Sequence, residues 1–268
     1  LVSMPFLNAG GPLGPPEVRA RLVAWAVDEA ARSGADLLEI RSRDDVAPGL
    51  VRSDRKITVV LPLPASAEAL WNGTFRAKLR SQIRRPQKAG MEVRFGPEQA
   101  EAFYAVFTRN MRDLGTPVLP WRYFEAIRDR FGQSVLFAAV YRGQEPVAGG
   151  CGFVFRDTFE LTWASSLRRY AREAPNMLLY WSLMERAIEL GVGVFDFGRC
   201  TPGSGTHRFK QQWGGVDVPL PWSRWSPQGL GAPPTPDRPI YRLAGAVWRR
   251  LPLAVTTAVG PKLARVLP

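Results

Sequence analysis

The sequence predicts a mixed α/β fold in which helices flank a central sheet, and the order of its elements leads to this prediction. Helical spacing of apolar residues covers 98–114 and 121–131. Three strand-like runs follow at 135–141, 147–155 and 159–164, joined by hairpin turns. The remaining elements are a helix at 175–190, a strand at 192–197, a short helix at 206–213 and a strand at 216–222.

In the first 95 residues, the patterns that predict helices and strands are less regular. A helix over 17–33 precedes short strands at 36–40 and 57–61, and prolines at 62 and 64 end the second strand. A helix over 71–88 places Phe75, Leu79 and Ile83 four residues apart, and Pro86 is expected to end or kink it.

Basic residues form a second ridge along this helix at 71–88. The chain carries a net charge of +12, which favours polyanionic partners such as RNA, anionic lipid or phosphorylated substrates. Arg76, Arg80, Arg84 and Arg85 lie in a stretch without acidic residues, so we expect them to bind phosphate. A solvated helix face is the alternative.

The number of cysteines and the length of the apolar runs indicate the cellular compartment. Cys151 and Cys200 are too few for a disulfide framework or a zinc cluster, so the sequence predicts a reducing compartment and no metal. It contains no uncharged apolar run of about 20 residues and no signal peptide at its start. We therefore expect a cytoplasmic protein, with peripheral contact at the inner face of the cytoplasmic membrane left open.

Residues 195–214 point most directly to a site. They run from a strand through a glycine-rich turn into a basic, aromatic half-helix, and ligands collect where strands of an open sheet end. The glycines do not form a Walker loop, and Ser204 lacks the spacing of a nucleophile elbow. His207 is expected on an exposed helix face and Cys200 in a loop, so a catalytic triad is disfavoured.

Five blocks carry a family resemblance: AKLRSQIRR at 77–85, NMRDLGTP at 110–117, WASS at 163–166, NMLLYW at 176–181 and the site segment at 195–214. Together they resemble the FemAB-like proteins associated with exosortase/PEP-CTERM systems. The element order is also similar to the plan of the GNAT-type acyltransferase fold.

The resemblance implies a division of the chain. Residues 1–95 would be a partial first GNAT-like half that lacks its opening strands, because the chain starts without Met in an apolar run. Residues 96–225 would be a complete second half, and residues 226–268 a basic, apolar tail. The tail can lie on an anionic membrane surface or dock on the domain.

The resemblance also implies transfer of an aminoacyl or related acyl group to an amine of a cell-envelope precursor, related to peptidoglycan or exopolysaccharide. The donor would be aminoacyl-tRNA, with no tightly bound cofactor. Lys210 matches the lysine of the family's Phe-Lys-x-x-Phe-Gly motif, with Trp213 in place of the second aromatic residue. Asp196 is the expected carboxylate that orients the amine or relays its proton, or else a structural anchor for the turn.

Further substrate contacts are expected around these two catalytic residues. The expected substrate-binding residues are Trp163, Ser165, Asn176, Tyr180, Arg199, Arg208 and Trp213.

Two other functions stay open at this point. Acyl-CoA or an acyl carrier protein can be the donor, although the Gln/Arg-x-x-Gly-x-Gly/Ala phosphate loop is missing before residue 175. Arg168, Arg169 and Arg172 would then hold the phosphates at a helix N-terminus. A non-catalytic module that docks on nucleic acid or lipid phosphates through the basic helix is the third function.

Overall fold

A computed structural model describes residues 1–44, 49–229 and 239–265. One eight-stranded mixed sheet runs through this part of the chain, in the strand order β1-β8-β2-β7-β6-β5-β4-β3. The strands are β1 Leu38–Ile40, β2 Val51–Pro62, β3 Met91–Phe95, β4 Val135–Arg142, β5 Glu145–Phe155, β6 Thr158–Ser166, β7 Val194–Cys200 and β8 Val216–Trp225.

Helices cover both faces of the sheet. They are α1 Pro16–Arg32, α2 Ala67–Gly73, α3 Ala77–Lys88, α4 Ala100–Leu114, α5 Trp121–Phe131, α6 Pro175–Glu189, α7 Gly205–Gln211, α8 Pro239–Trp248 and α9 Leu253–Ala264. Successive strand side chains point to opposite faces, so Phe137 packs with α4 and α5, whereas Ala138 packs with α3 and α6. The mixed α/β fold predicted from the sequence is confirmed.

Strands β6 and β7 form the parallel pair of the described sheet, and α6 connects them. Their pairing covers Thr158–Glu160 against Val194–Asp196 and then stops, although both strands continue. At Gly198 the backbone of β7 takes a φ of 73°. An alanine Cβ there would lie 3.0 Å from the carbonyl oxygen of Leu161, so glycine allows this close approach next to the split.

The structure corrects the prediction of one helix over 71–88. Two helices, α2 and α3, meet at residues 74–76, and Ser66 caps the first of them through a hydrogen bond from the Ala69 N–H. Phe75, Leu79 and Ile83 are buried together, as their spacing indicates. Pro86 does not end α3; it lies buried within the last turn, where its packing offsets the lost hydrogen bond.

Strands from both sides of the expected boundary at residue 95 belong to one sheet. Strand β2 lies between β7 and β8, and it pairs with both of them in antiparallel register. The assignment of 1–95 and 96–225 to two halves of a family architecture stays a prediction. Physically, the described part of the first 95 residues completes the sheet that carries the site.

The described part of the C-terminal tail docks on the domain. Trp248 and Ala264 are buried, and Ala264 joins the cluster formed by α4 and α5. An alanine Cβ at Gly260 would lie 3.0 Å from the Val118 backbone nitrogen, so helix α9 approaches the chain closely there. Residues 230–238 and 266–268 of the expected tail lie outside the described residues.

Candidate active site

The split between β6 and β7 is lined by buried polar groups. Gly198 faces the carbonyl of Leu161 across it, and the Nδ2 atom of Asn8 lies 2.9 Å from the position that a Cβ of residue 198 would take. Asn8 is buried and donates a hydrogen bond of 2.8 Å to Glu160 Oε1. The N-terminal segment therefore reaches the mouth of the split.

Asp196 and Glu160 stand side by side where the parallel pairing ends. The Asp196 carboxylate is fully buried and accepts hydrogen bonds from the Thr58 hydroxyl, the Gly198 N–H at 2.8 Å and Arg43 Nη2 at 2.8 Å. Arg43 also donates to Glu160 Oε2 at 2.5 Å. Each carboxylate is thus held by the same guanidinium.

These two carboxylates differ in their exposure to solvent. The Asp196 side chain has no exposed surface, whereas 22% of the Glu160 side chain is exposed. Burial lowers the pKa of Arg43, but the adjacent Asp196 and Glu160 outweigh it and leave that pKa raised. In this arrangement Asp196 anchors Thr58, Arg43 and the turn at Gly198, and Glu160 is the carboxylate that meets the solvent side. The expected catalytic role of Asp196 stays a prediction.

Lys210 lies at the other side of the Gly198 turn. Helix α7 carries it, and Ser204 caps this helix by accepting a hydrogen bond of 3.1 Å from the His207 N–H. The Lys210 Nζ atom donates to the carbonyl oxygens of Gly198 at 2.5 Å and of Arg199 at 2.9 Å. Burial lowers its pKa from 10.5 to about 8. The ammonium is therefore fixed on β7 and costly to desolvate.

His207 holds the loop that precedes α7. Its Nδ1 atom accepts the Gly203 N–H at 2.9 Å, so the proton of the neutral ring is on Nε2, which lies 2.9 Å from Asp217. The expectation of an exposed histidine is wrong, because the side chain is buried by these two contacts. Cys200 is the last residue of β7 rather than a loop residue, and burial raises its thiol pKa. The two side chains serve structure.

Several expected substrate contacts lie in the core instead. Trp213 has no exposed surface and packs against Phe75 with ring centroids 5.5 Å apart. Trp163 packs on Phe124 at 5.2 Å, and burial raises the pKa of Tyr180. Aromatic packing in the core uses both rings, and their expected contact with a substrate stays a prediction.

The other expected contacts are spread around the fold. Ser165 is buried and accepts a hydrogen bond of 3.0 Å from Asn110, and Asn176 is half-buried at the start of α6. Arg208 is exposed and donates to the Gly203 carbonyl at 2.6 Å. Arg199 is half-buried beside Trp222. Among these residues, Arg199 contacts Lys210 directly, because its own carbonyl oxygen accepts one of the two hydrogen bonds of the ammonium.

Arg76, which directly precedes α3, and the three arginines within α3 form a separate surface. Arg76 is exposed, Arg80 donates to the Trp71 carbonyl at 3.3 Å, and Arg84 stacks on the Trp71 ring. Arg85 donates to the carbonyl of Arg172 at 3.2 Å, which links α3 to the segment before α6. The expected phosphate contact by these residues stays a prediction.

Sequence reasoning missed Arg43, Thr58, Glu160 and Asn8. Glu160 had a signal, because it is the one charged residue of a strand whose other residues are apolar or carry a hydroxyl, and a carboxylate there needs a partner. The other three come from segments far apart in the chain, and no local pattern indicates that they meet. Among the described residues, no group of His, Cys, Asp and Glu has the arrangement of a metal site.

A mixed sheet whose parallel strand pair parts beyond its first residues is the arrangement of the GNAT acyltransferase fold. The family model described as "Acetyltransferase (GNAT) domain" matches residues 73–211, so the chain belongs to this family. A comparison with curated proteins found no match.

Solved structures show the same fold at low sequence identity. A crystal structure of FemX is 15% identical, with a TM-score of 0.59 over 86% of this chain and 79% of FemX. L-PGS from Bacillus licheniformis is 14% identical, with a TM-score of 0.62 over 89% of this chain and 81% of L-PGS. The C-terminal domain of a putative lysylphosphatidylglycerol synthetase from Agrobacterium fabrum is 15% identical, with a TM-score of 0.61 over 81% of this chain and 76% of that chain.

Proposed function

We propose that this acyltransferase works as members of the wider FemAB family do, and that it belongs with the FemAB-like proteins of exosortase/PEP-CTERM systems. It transfers an aminoacyl or related acyl group from aminoacyl-tRNA to an amine of a cell-envelope precursor. The observation that carries the proposal is the Lys210 ammonium, held on the Gly198 and Arg199 carbonyls where β7 parts from β6. The likeness of the fold to FemX and L-PGS supports it.

The chemistry follows from the groups at the split. The neutral amine attacks the acyl carbon, and negative charge develops on the carbonyl oxygen. Lys210 stabilises this charge, because a fixed cation in a site with little water acts strongly. A new C–N bond then replaces the C–O bond of the donor ester. Glu160 passes the proton from the amine to the departing hydroxyl oxygen.

Replacement of Lys210 tests the proposal. Transfer from radiolabelled aminoacyl-tRNA to an envelope-precursor extract is measured for the unaltered protein, for Lys210→Met and for Arg130→Met, which removes an exposed positive charge on α5. Loss of oxyanion stabilisation lowers the rate about 10²- to 10³-fold in Lys210→Met. Far-UV circular dichroism checks that this variant folds. Unchanged transfer by a folded Lys210→Met protein rejects the role of Lys210.

The basic ridge supports a phosphate-bearing donor. We propose that Arg76, Arg80, Arg84 and Arg85 contact donor phosphates, since Arg76 directly precedes α3, the other three lie on it, and the helix has no acidic residue. Binding of tRNA should then weaken steeply with salt. Salt-dependent RNA binding by an unaltered protein that shows no transfer from any donor would favour the non-catalytic module.

An acyl-CoA donor is a second candidate because the matching family model describes an acetyltransferase. The exposed Arg172 precedes α6, whose first residues are Pro175 and Asn176, and the free N–H groups of this terminus suit a phosphate. Coenzyme A would then raise the Tm, and RNA would not. Stabilisation by RNA alone would exclude this donor.

The described tail supports a peripheral membrane contact. On α9, Val255, Val259 and Leu263 are exposed at intervals of four residues, and Leu243 and Val247 are exposed in the same way on α8. No acidic residue occurs between residues 239 and 265. The basic residues there are Arg242, Arg249, Arg250, Lys262 and Arg265. Such apolar stripes beside positive charge suit an anionic lipid surface on the cytoplasmic side. Among the described residues, no helix has the length and apolar character needed to cross a membrane.

A further inference from the structure

Positive side chains gather around the buried ring of Trp222 on β8. The Cζ atom of Arg41 lies 4.6 Å from the ring centroid, and that of Arg199 lies 5.4 Å from it. Lys56 on the neighbouring strand β2 donates to the Thr201 hydroxyl at 2.7 Å. We call Arg41, Lys56, Arg199 and Arg224 the cationic cluster.

One carboxylate among the described residues pairs with this cluster. Glu39 is buried and accepts hydrogen bonds from Arg41 at 2.8 Å and from Arg224 at 2.6 Å. Within the described ranges, Arg199 has neither a carboxylate nor a carbonyl as a partner for its guanidinium. The only hydrogen bond of the Lys56 ammonium there goes to an uncharged hydroxyl. The cluster therefore carries four positive charges against one negative charge.

This excess of charge is only partly solvated. Arg199 and Lys56 are half-buried, so water compensates them incompletely. Burial, with the nearby Arg41 charge, lowers the pKa of Arg199 from 12.5 to about 10. Burial also lowers the pKa of Lys56, and the Arg199 charge adds to this effect. Both shifts mean that the positive forms are destabilised until a negative group joins them.

We propose that the cationic cluster is an oxyanion subsite that binds a phosphate or carboxylate group, with Arg199 and Lys56 as its free donors. The Trp222 ring fixes the plane of the Arg199 guanidinium, and a fixed guanidinium fork matches two oxygens of one anion. In placing this anion on a transfer substrate, the inference rests on the proposed function.

The position of Arg199 sets the distance between the anion and the reaction. Arg199 follows Gly198, and its own carbonyl accepts a hydrogen bond from Lys210. Three residues along β7 separate it from Asp196, and the turn at Gly198 keeps the two closer than the about 10 Å that three extended residues span. The subsite therefore places the negative group of the substrate near the split, as in a compact charged molecule or headgroup.

Isothermal titration of the full chain with inorganic pyrophosphate and, separately, with glutarate tests the subsite. The pyrophosphate arm reports a phosphate and the glutarate arm a carboxylate. The variants are Arg199→Gln and Lys56→Gln. Arg130→Gln on α5 is the matched control, because it removes one exposed positive charge away from β7. The assay needs no turnover, so anion binding and acyl transfer can fail independently.

We expect at least one of the two anions to bind. Its affinity should fall about tenfold or more in Arg199→Gln and in Lys56→Gln, because each loses a charged hydrogen bond. In Arg130→Gln the affinity should change less than about threefold. If Arg199→Gln does not fold, the anion affinities of Lys56→Gln and Arg199→Lys test the subsite in its place. Failure of the unaltered protein to bind either anion, or equal affinity in the folded cluster variants and the control, overturns the subsite.

Discussion

Replacement of Lys210 by methionine removes a buried ammonium and keeps an unbranched side chain of similar length. In the folded protein, burial lowers the pKa of Lys210 from 10.5 to about 8. In the unfolded chain the lysine is solvated and its pKa returns to about 10.4. Between these two values the unfolded chain binds more protons than the folded protein, so the free energy of unfolding rises with pH. Below the folded pKa the lysine is protonated in both states, so the free energy of unfolding no longer changes with pH through this group.

The separation of the two pKa values corresponds to about 3 kcal/mol once the titration is complete. Raising the pH from about 7 to about 9.5 yields about 2 kcal/mol of this stabilisation in the unaltered protein. Lys210→Met lacks the titrating group and yields none of it. The difference in unfolding free energy between the two proteins should therefore shift by about 2 kcal/mol in favour of the unaltered protein.

Urea unfolding at both pH values measures this shift, and Lys88→Met on the exposed face of α3 is the control that should show none. Stability rises with pH, but transfer activity should fall above about pH 8. Lys210 is then neutral, and a neutral side chain stabilises the oxyanion poorly. A stability shift below about 0.5 kcal/mol would refute the burial argument for Lys210.

Three further predictions concern the split and the tail. Glu160→Gln should lower the transfer rate about 10²-fold with a small change in Tm, since a proton relay is lost and the shape is kept; an unchanged rate in the tRNA-dependent assay contradicts that role. Gly198→Ala should cost about 2 kcal/mol more in urea unfolding than Gly203→Ala, because both residues have positive φ but only residue 198 faces the Leu161 carbonyl. Equal costs would contradict the close approach. Val259→Asp should reduce cosedimentation with phosphatidylglycerol vesicles about tenfold, because an acidic group replaces an apolar contact; unchanged cosedimentation contradicts the membrane contact.

Local patterns predicted the element order well in the second half of the chain. Helix α5 has the predicted bounds, and α4 and the three strands β4 to β6 agree within about two residues with the helical and alternating periods. The pattern failed at Met91–Phe95, where a short alternating run forms edge strand β3. It also failed at residues 74–76, where a helical period continues through a break.

The candidate site was predicted in part. The strand and loop at 195–214 place Asp196 and Lys210 on either side of one glycine turn, and their closeness in sequence made this predictable. The aromatic residues expected at the site pack in the core, since a sequence does not show which apolar rings the core needs. Arg43 joins Asp196 across 153 residues, which no local signal reports.

Taken by itself, the sequence determined the fold class and the segment of the candidate site, because periodicity, turns and charge act over a few residues. The tertiary structure alone decided which charges are compensated. It gave Asp196 and Glu160 a shared guanidinium and Lys210 two carbonyls, and it placed Arg199 beside Arg41 without a carboxylate of its own among the described residues. Burial and pairing depend on segments that meet only when β2, β6, β7 and β8 form one sheet, and the free energy of a charge depends on those neighbours.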